Sequence, residues 1–387
     1  MLRKRWRVAL VSTALVGGLA LWLSWPYVTS AALLLDLAGS DGWVRRLLPV
    51  RVDGVAVESV RVPTRHGDVL ARVYRPSSGG TRSVAVFPGV HAGGVDEPRL
   101  VTLTHRLAAA GAIVLSVPLP DLRAFRVTPE STDVIEDALL WMSGRRDLAR
   151  DGRVGAIGIS FSGGLLAVAA GRPSLRDKLT AAVSLGGHAD LPRVLRYLCT
   201  GALPDGTVRA PHDYSVAVML RAALPRLVPA EDLDAADRVL VMFLEASSLA
   251  SMEPARGVSL WNDAAAAAET LGEPARRLLR LVNDRDTAAL GSRLLPYVDA
   301  IGADPALSPE RSPATHARVL AIHGRDDNII PSSETPRLAS YLAAQGNHDV
   351  DWLLTSVVSH ATLQVDVSLR EAWRLVRFWT TVWSALE

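Results

Sequence analysis

Hydrophobic and polar positions divide the chain into three regimes. From Val8 to Leu35 there is no Asp, Glu, Lys, Arg or His, a stretch longer than the roughly 20 residues a helix needs to cross hydrocarbon. From Val55 onward, short apolar or alternating runs take turns with segments of helical spacing. The runs Val55–Val62, Val69–Tyr74, Val84–Phe87, Ala112–Val117, Val154–Ile159, Ala181–Leu185, Val319–Ile322 and Trp352–Leu354 read as strands. Glu97–Ala110, Thr132–Ser143, Gly163–Ala170, Glu334–Gln345 and Leu369–Leu386 read as helices. In Thr132–Ser143, for instance, Val134, Ile135, Ala138, Leu139 and Met142 share one face. Strands that alternate with helices predict a mostly parallel sheet covered on both faces. The third regime, from about His188 to Thr315, breaks the alternation. Leu191–Leu198, Tyr214–Leu224, Ala235–Leu244, Asp263–Leu271 and Glu273–Val282 have helical spacing and no convincing strand lies among them, so a helical insertion between two sheet strands is expected.

The first regime is preceded by Arg3, Lys4, Arg5 and Arg7, with Trp22, Trp25 and Tyr27 near its far end. Basic residues before an apolar span favour an N-in orientation, and amphipathic rings favour the interface. The expectation is an N-terminal transmembrane helix with everything after residue 35 outside the cytoplasm. A cleaved signal peptide is the alternative, with small residues at Thr29-Ser30-Ala31 for a peptidase. Both readings place the bulk of the chain outside.

Composition narrows the field further. Of 387 residues, 49% are hydrophobic and 21% charged, with a formal net charge of +2, which excludes the disordered class. Only Lys4 and Lys178 are lysines, and the arginines are scattered, so no nucleic-acid footprint is expected. The single cysteine, Cys199, rules out an intrachain disulfide and a Cys-rich zinc site, and reads as a packing residue. There is no H-E-x-x-H, no phosphate-binding G-x-x-x-x-G-K-[ST] and no C-x-x-C. No metal or cofactor is implied.

Three loops carry the candidate chemistry. Val154–Ile159 runs into Gly158-Ile159-Ser160-Phe161-Ser162-Gly163-Gly164 and then an apolar helix, the strand–turn–helix context of a nucleophile elbow. Ser160 is the favoured nucleophile. Ser162 stands where Gly is usual in G-x-S-x-G, and a shifted frame would make Ser162 the nucleophile. After Val319–Ile322 comes His323-Gly324-Arg325-Asp326-Asp327, where Asp327 is the preferred carboxylate to orient a histidine and Asp326 the reserve. After Trp352–Leu354 comes Ser359-His360-Ala361, and His360 alone among nine histidines lies in the last strand-to-helix connection. Ser160, Asp327 and His360 follow the chain order Ser…Asp…His of this motif. His323 is expected to brace the acid loop. Phe87-Pro88-Gly89-Val90-His91-Ala92-Gly93-Gly94 follows an early strand and can aim backbone N–H groups at a tetrahedral oxyanion, with the amides of Val90 and Phe161 as candidate donors.

On these loops the chain resembles an α/β-hydrolase of the dienelactone-hydrolase-like or esterase/lipase-like kind. The resemblance implies an eight-stranded, mostly parallel sheet with a helical cap after the sixth strand. With residues 1–36 read from hydropathy as anchor or signal segment, it places the two parts of the hydrolase core at 50–187 and 316–387 and the cap at 188–315. Dienelactone hydrolases proper use a cysteine nucleophile, so the serine here argues for ester chemistry on small-molecule substrates. An acyltransferase using the same triad and an inactive binding protein on this fold are the competing functions. Leu191, Val194, Leu195 and Leu198 are placed either to line an acyl pocket or to fasten the cap to the core.

Overall fold

In a computed structural model, residues 24–39, 54–250, 252–357 and 368–387 are described. Eight strands form one sheet: β1 (Val55–Val62), β2 (Val69–Pro76), β3 (Arg82–Phe87), β4 (Ala112–Ser116), β5 (Val154–Ile159), β6 (Leu179–Leu185), β7 (Arg318–Gly324) and β8 (Val350–Thr355). Their order is β1-β2-β4-β3-β5-β6-β7-β8. β2 is antiparallel to both neighbours, and β4, β3, β5, β6, β7 and β8 run parallel. The central parallel strands β4, β3, β5 and β6 are mostly apolar because both faces are covered, whereas the edge strand β8 exposes Asp351 and Trp352. Alternate residues serve opposite layers: Val84 and Val86 pack into one core cluster, while Ala85 and Phe87 pack into the other.

The helices α2 (Pro98–Ala109), α3 (Pro129–Ser143), α4 (Phe161–Ala170), α11 (Glu334–Ala344) and α12 (Leu369–Ala385) fill those layers. α2 starts where the Glu97 carboxylate accepts from the Leu100 amide at 2.7 Å, satisfying one of the N–H groups that a helix start leaves open. α12 starts likewise at Ser368, which accepts from the Glu371 amide. The layer formed by α2 and α12 also receives α1, residues 24–37. Ala32 and Leu33 of α1 are buried. Ser30 accepts a hydrogen bond from Thr380 of α12 at 3.0 Å, and the Tyr27 and Trp373 rings lie 5.5 Å apart.

α1 changes the reading of the N-terminus. The later part of the uncharged stretch is a helix packed on the sheet domain, and no helix among the described residues is long and apolar enough to cross a membrane. The expected transmembrane helix is therefore not found there, and residues 1–23 lie outside the described set. The physical reason is that an uncharged helix suits a protein core and a bilayer equally well, and hydropathy alone does not distinguish them.

Between β6 and β7 the chain is helical: α5 (Leu191–Thr200), α6 (Asp213–Ala223), α7 (Ala230–Ala250), α8 (Pro254–Glu269), α9 (Ala275–Asn283) and α10 (Thr287–Leu294), with short 3-10 turns and one further short helix. Among the described residues of this stretch the only extended pairing is an isolated bridge between Ala202 and Val208. At its root, Glu334 at the start of α11 accepts from the Ala189 and Asp190 amides, both at 3.0 Å, and pairs with Arg193 at 2.6 Å. Arg193 also reaches Glu310, and Asp190 holds Arg311. This partly buried ion network clamps both ends of the helical stretch to the sheet domain.

Candidate active site

The strand order reverses at β3: its chain successor β4 lies on one side and β5 on the other. At such a switch point the loops leaving the carboxyl ends of the strands diverge and leave a crevice. The Phe87–Gly94 loop and the β5–α4 turn meet there.

Ser160 forms the apex of that turn at φ +58°, ψ −131°, a conformation that costs a non-glycine residue energy and persists only where its surroundings enforce it. Enforcement comes from three sides. The Ser160 amide donates to the Leu185 carbonyl at 2.7 Å, and the Ser160 carbonyl accepts from the Gly163 amide at 2.8 Å. Gly158 has no room for a side chain, because a Cβ there would sit 2.4 Å from the Ser162 carbonyl oxygen. At Gly163 a Cβ would sit 2.6 Å from the Ser184 hydroxyl. The elbow thus needs glycine at 158 because strand and helix backbones touch.

Ser162 is fully buried and faces the backbone. Its hydroxyl accepts from the Ile159 amide at 2.8 Å and lies 3.0 Å from the Phe87 carbonyl, to which it donates. The serine that departs from the usual pattern fastens the elbow to the end of β3. Ser160, not Ser162, occupies the apex.

Gly89 lies directly against the elbow: a Cβ there would meet the Ser160 Cβ at 3.1 Å and the Ile159 carbonyl oxygen at 3.2 Å. Val90 follows, and its carbonyl accepts from the Tyr214 hydroxyl of α6 at 2.8 Å. Phe161 is the first residue of α4, where a helix leaves amides without intrahelical acceptors. The two expected oxyanion donors therefore belong to segments that flank Ser160. His91 braces the same loop, its Nδ1 accepting from the Gly93 amide at 3.0 Å. Burial pushes the His91 imidazole down from its usual value despite the nearby Glu97.

Asp327 follows β7. Its Oδ1 accepts from the Ile329 and Ile330 amides at 2.8 and 3.0 Å, and its Oδ2 lies 3.3 Å from His323 Nε2. His323 in turn reaches Thr335 and the Ile330 carbonyl, so it braces the acid loop. The Asp327 side chain is 1% exposed. That of Asp326 is 87% exposed and pairs with Arg209 at 3.1 Å, so the two neighbours have separate environments. Gly186, at φ +68° just past β6, leaves room beside Asp327; a Cβ there would stand 3.7 Å from Oδ2. Leu185 and Gly186 thus lie between Ser160 and Asp327, joining the ends of β5, β6 and β7. His360 lies outside the described residues.

Two contributors were not singled out from the sequence. Tyr214 holds the Val90 carbonyl, and Arg209 donates to the Arg325 carbonyl at 3.1 Å and the Asp327 carbonyl at 3.3 Å. Both come from the helical stretch between β6 and β7, far away in sequence, and no local spacing marks them. Cys199 is buried beside Met219, and burial pushes its thiol up to about 12, which keeps it protonated and unreactive. Leu191, Val194, Leu195 and Leu198 are buried in the main core cluster; their spacing serves packing.

Strand order, elbow and acid loop together define an α/β-hydrolase fold. No family profile matches the chain, and no curated protein matches it. Among solved structures it is similar to an esterase from Pyrobaculum calidifontis, at 16% identity over 92% of this chain and 91% of that one, TM-score 0.47. It is also similar to a thermostable esterase from Pseudomonas putida ECU1011, at 15% identity over 87% and 85%, TM-score 0.47. A third is carboxyl esterase 2 from Tuber melanosporum, at 15% identity over 86% and 87%, TM-score 0.47.

Proposed function

We propose that the protein is a serine hydrolase that cleaves carboxylic esters through an acyl-enzyme on Ser160. The observation that carries this reading is Ser160 held at positive φ on a strand–helix elbow, with the Gly89–Val90 backbone against it. An alcohol is almost fully protonated near neutral pH, so Ser160 needs a base. His360 takes its proton as Oγ attacks the ester carbonyl carbon, and Asp327 orients His360 and stabilises the imidazolium. The oxyanion sits on the amides of Val90 and Phe161. Collapse of the tetrahedral species breaks the C–O bond to the leaving alcohol, which receives the proton from His360. A water then attacks the acyl-enzyme, again giving its proton to His360, and the acid and free Ser160 result.

The domain sits outside the cytoplasm, tethered by the uncharged residues 8–23 that run from the basic N-terminus into α1. Retention of this segment is supported by α1 itself: the small residues Thr29-Ser30-Ala31 lie inside the helix, and Ser30 is buried. Small-molecule esters are the substrate class.

A fluorophosphonate probe tests the chemistry. The full chain should label, and Ser160→Ala and His360→Ala should not. Asp327→Asn should slow labelling by about 10²–10⁴-fold, and Asp326→Asn should leave it unchanged. Absence of labelling of the folded wild type, under conditions that label a control esterase, would reduce the protein to a binding scaffold.

A further inference from the structure

Around the start of α1 and the outer face of α12 the surface is aromatic and basic. Leu369 is 89% exposed, Trp373 52%, Trp25 46% and Trp352, on the edge strand β8, 46%. Leu369, Trp373 and Arg377 fall at i, i+4 and i+8 of α12 and share a face. Beside them runs a groove of about 460 Å³ lined by Tyr27, Trp352, Arg374, Arg377 and Phe378 among others. Four exposed large apolar side chains with arginines between them are unusual for a water-facing surface. The carboxylates nearby are engaged: Glu371 pairs with Arg374, and Asp351 pairs with Arg318 at 2.9 Å.

We propose that this patch is a seat for the headgroup region of a phospholipid bilayer, with the rings at the interface and the arginines on lipid phosphates. The proposal rests on the tether reading and deepens it. Residues 8–23 carry no charge and are the tether of that reading. The next residues already belong to α1, and α1 is fixed to the domain by its contacts with Thr380 and Trp373. A domain tethered through residues 8–23 therefore turns the described start of α1, at Ser24, toward the bilayer. The side chains that surround that start are those suited to the interface: Trp and Tyr partition to headgroup depth, and Arg is attracted to anionic lipid. Because α12 begins beyond the carboxyl end of β8, the seat also brings the edge of the sheet that carries Ser160 toward the membrane.

The test reads lipid contact rather than ester cleavage. Full-length Trp373→Cys and Leu369→Cys proteins, each carrying an environment-sensitive fluorophore, are bound to phosphatidylcholine–phosphatidylglycerol vesicles containing a headgroup spin-labelled lipid. Val57→Cys, exposed on β1 at the opposite edge of the sheet, is the control, and the buried Cys199 stays unlabelled. The expected result is flotation with the vesicles and at least two-fold stronger quenching at 369 and 373 than at 57. Flotation with equal quenching at all three sites overturns the seat and leaves the tether standing. Absence of flotation overturns both. Disulfide-linked dimers of the Trp373→Cys protein without lipid quenching would assign the face to a second copy of the chain and overturn the proposal.

Discussion

Ser162 shows how a departure from a sequence pattern is absorbed by the backbone around it. The elbow leaves the Ile159 amide and the Phe87 carbonyl facing each other across the gap between β5 and β3, and the Ser162 hydroxyl fills both needs. A glycine there would leave these groups buried without that partner. Removing one partner of a buried hydrogen bond costs about 1–3 kcal/mol. Ser162→Ala should therefore lower the unfolding free energy by about 1–3 kcal/mol, with a lower urea midpoint at unchanged m, while still labelling with a fluorophosphonate, because Ser160 keeps its apex position. Urea titration and probe labelling of the same preparation check both halves. A stable Ser162→Ala protein that does not label would mean that the shifted frame is the correct one. This residue also marks a limit of the sequence: the pattern exposed the irregularity, whereas its explanation needed Phe87, far back in the chain.

At the scale of elements, the strands and helices of the sheet domain were legible because each has a strong apolar signature and must bury it. Val55–Val62 and Val154–Ile159 are strands over the expected residues, β4 ends one residue early at Ser116, and the other strands extend by one or two residues at an end. The stretch between β6 and β7 was less legible. α7 and α8 are longer than their apolar spacing suggests, because they pack through alanines and Gly257, which carry little hydrophobic signal. α10 went unseen: Leu290 and Leu294 are too few to set a period, and Gly291 lets it approach Cys199 so closely that a Cβ would overlap the Cys199 carbonyl. What these helices do for the site was invisible in one dimension. Tyr214 of α6 couples them to the Val90 loop, and loss of one net hydrogen bond is worth about 0.5–1.5 kcal/mol. Tyr214→Phe should lower kcat by about 2- to 10-fold with KM on p-nitrophenyl acetate unchanged. A rise in KM with constant kcat would place Tyr214 in substrate binding instead.

His188, at the root of the same helices, gives this region a pH dependence. It is fully buried against Gly164 and the Phe161 ring, and its Nε2 donates to the Leu307 carbonyl at 2.8 Å. Its Nδ1 has no hydrogen-bond partner, so burial lowers its pKa and holds the ring neutral. The unfolded chain then binds a proton that the fold refuses, and unfolding gains as pH falls below the unfolded value of about 6.5. Stability contributed by the neutral ring is complete above that value and is lost progressively below it. Between about pH 7.5 and 5.5 the denaturation midpoint of the wild type should fall more steeply than that of His188→Asn. Parallel curves would show that other groups govern acid sensitivity.

For the whole molecule, the decisive element is α1, which packs residues 24–37 onto the sheet domain. In the sequence, residues 8–35 read as one segment because nothing charged interrupts them between Arg7 and Asp36. Among the described residues, those of α1 pack against α12 and α2. Asp36, the first acidic residue of the chain, lies near the end of the helix, 3.8 Å from Arg106. Removing residues 1–39 would uncover Leu33's site in the layer formed with Leu100, Leu107, Phe378 and Trp379. Burying a leucine contributes about 1.5–3 kcal/mol, and Leu33, Ala32 and the partly buried Leu34 and Leu37 together contribute on the order of 5 kcal/mol. A chain that begins at residue 40 should therefore melt roughly 10 °C lower than one that begins at Ser24 and should bind a hydrophobic dye. The chain that begins at Ser24 should melt with the full-length protein and release from membranes. Equal melting of the two truncations would mean that α1 is an appendage on a complete domain.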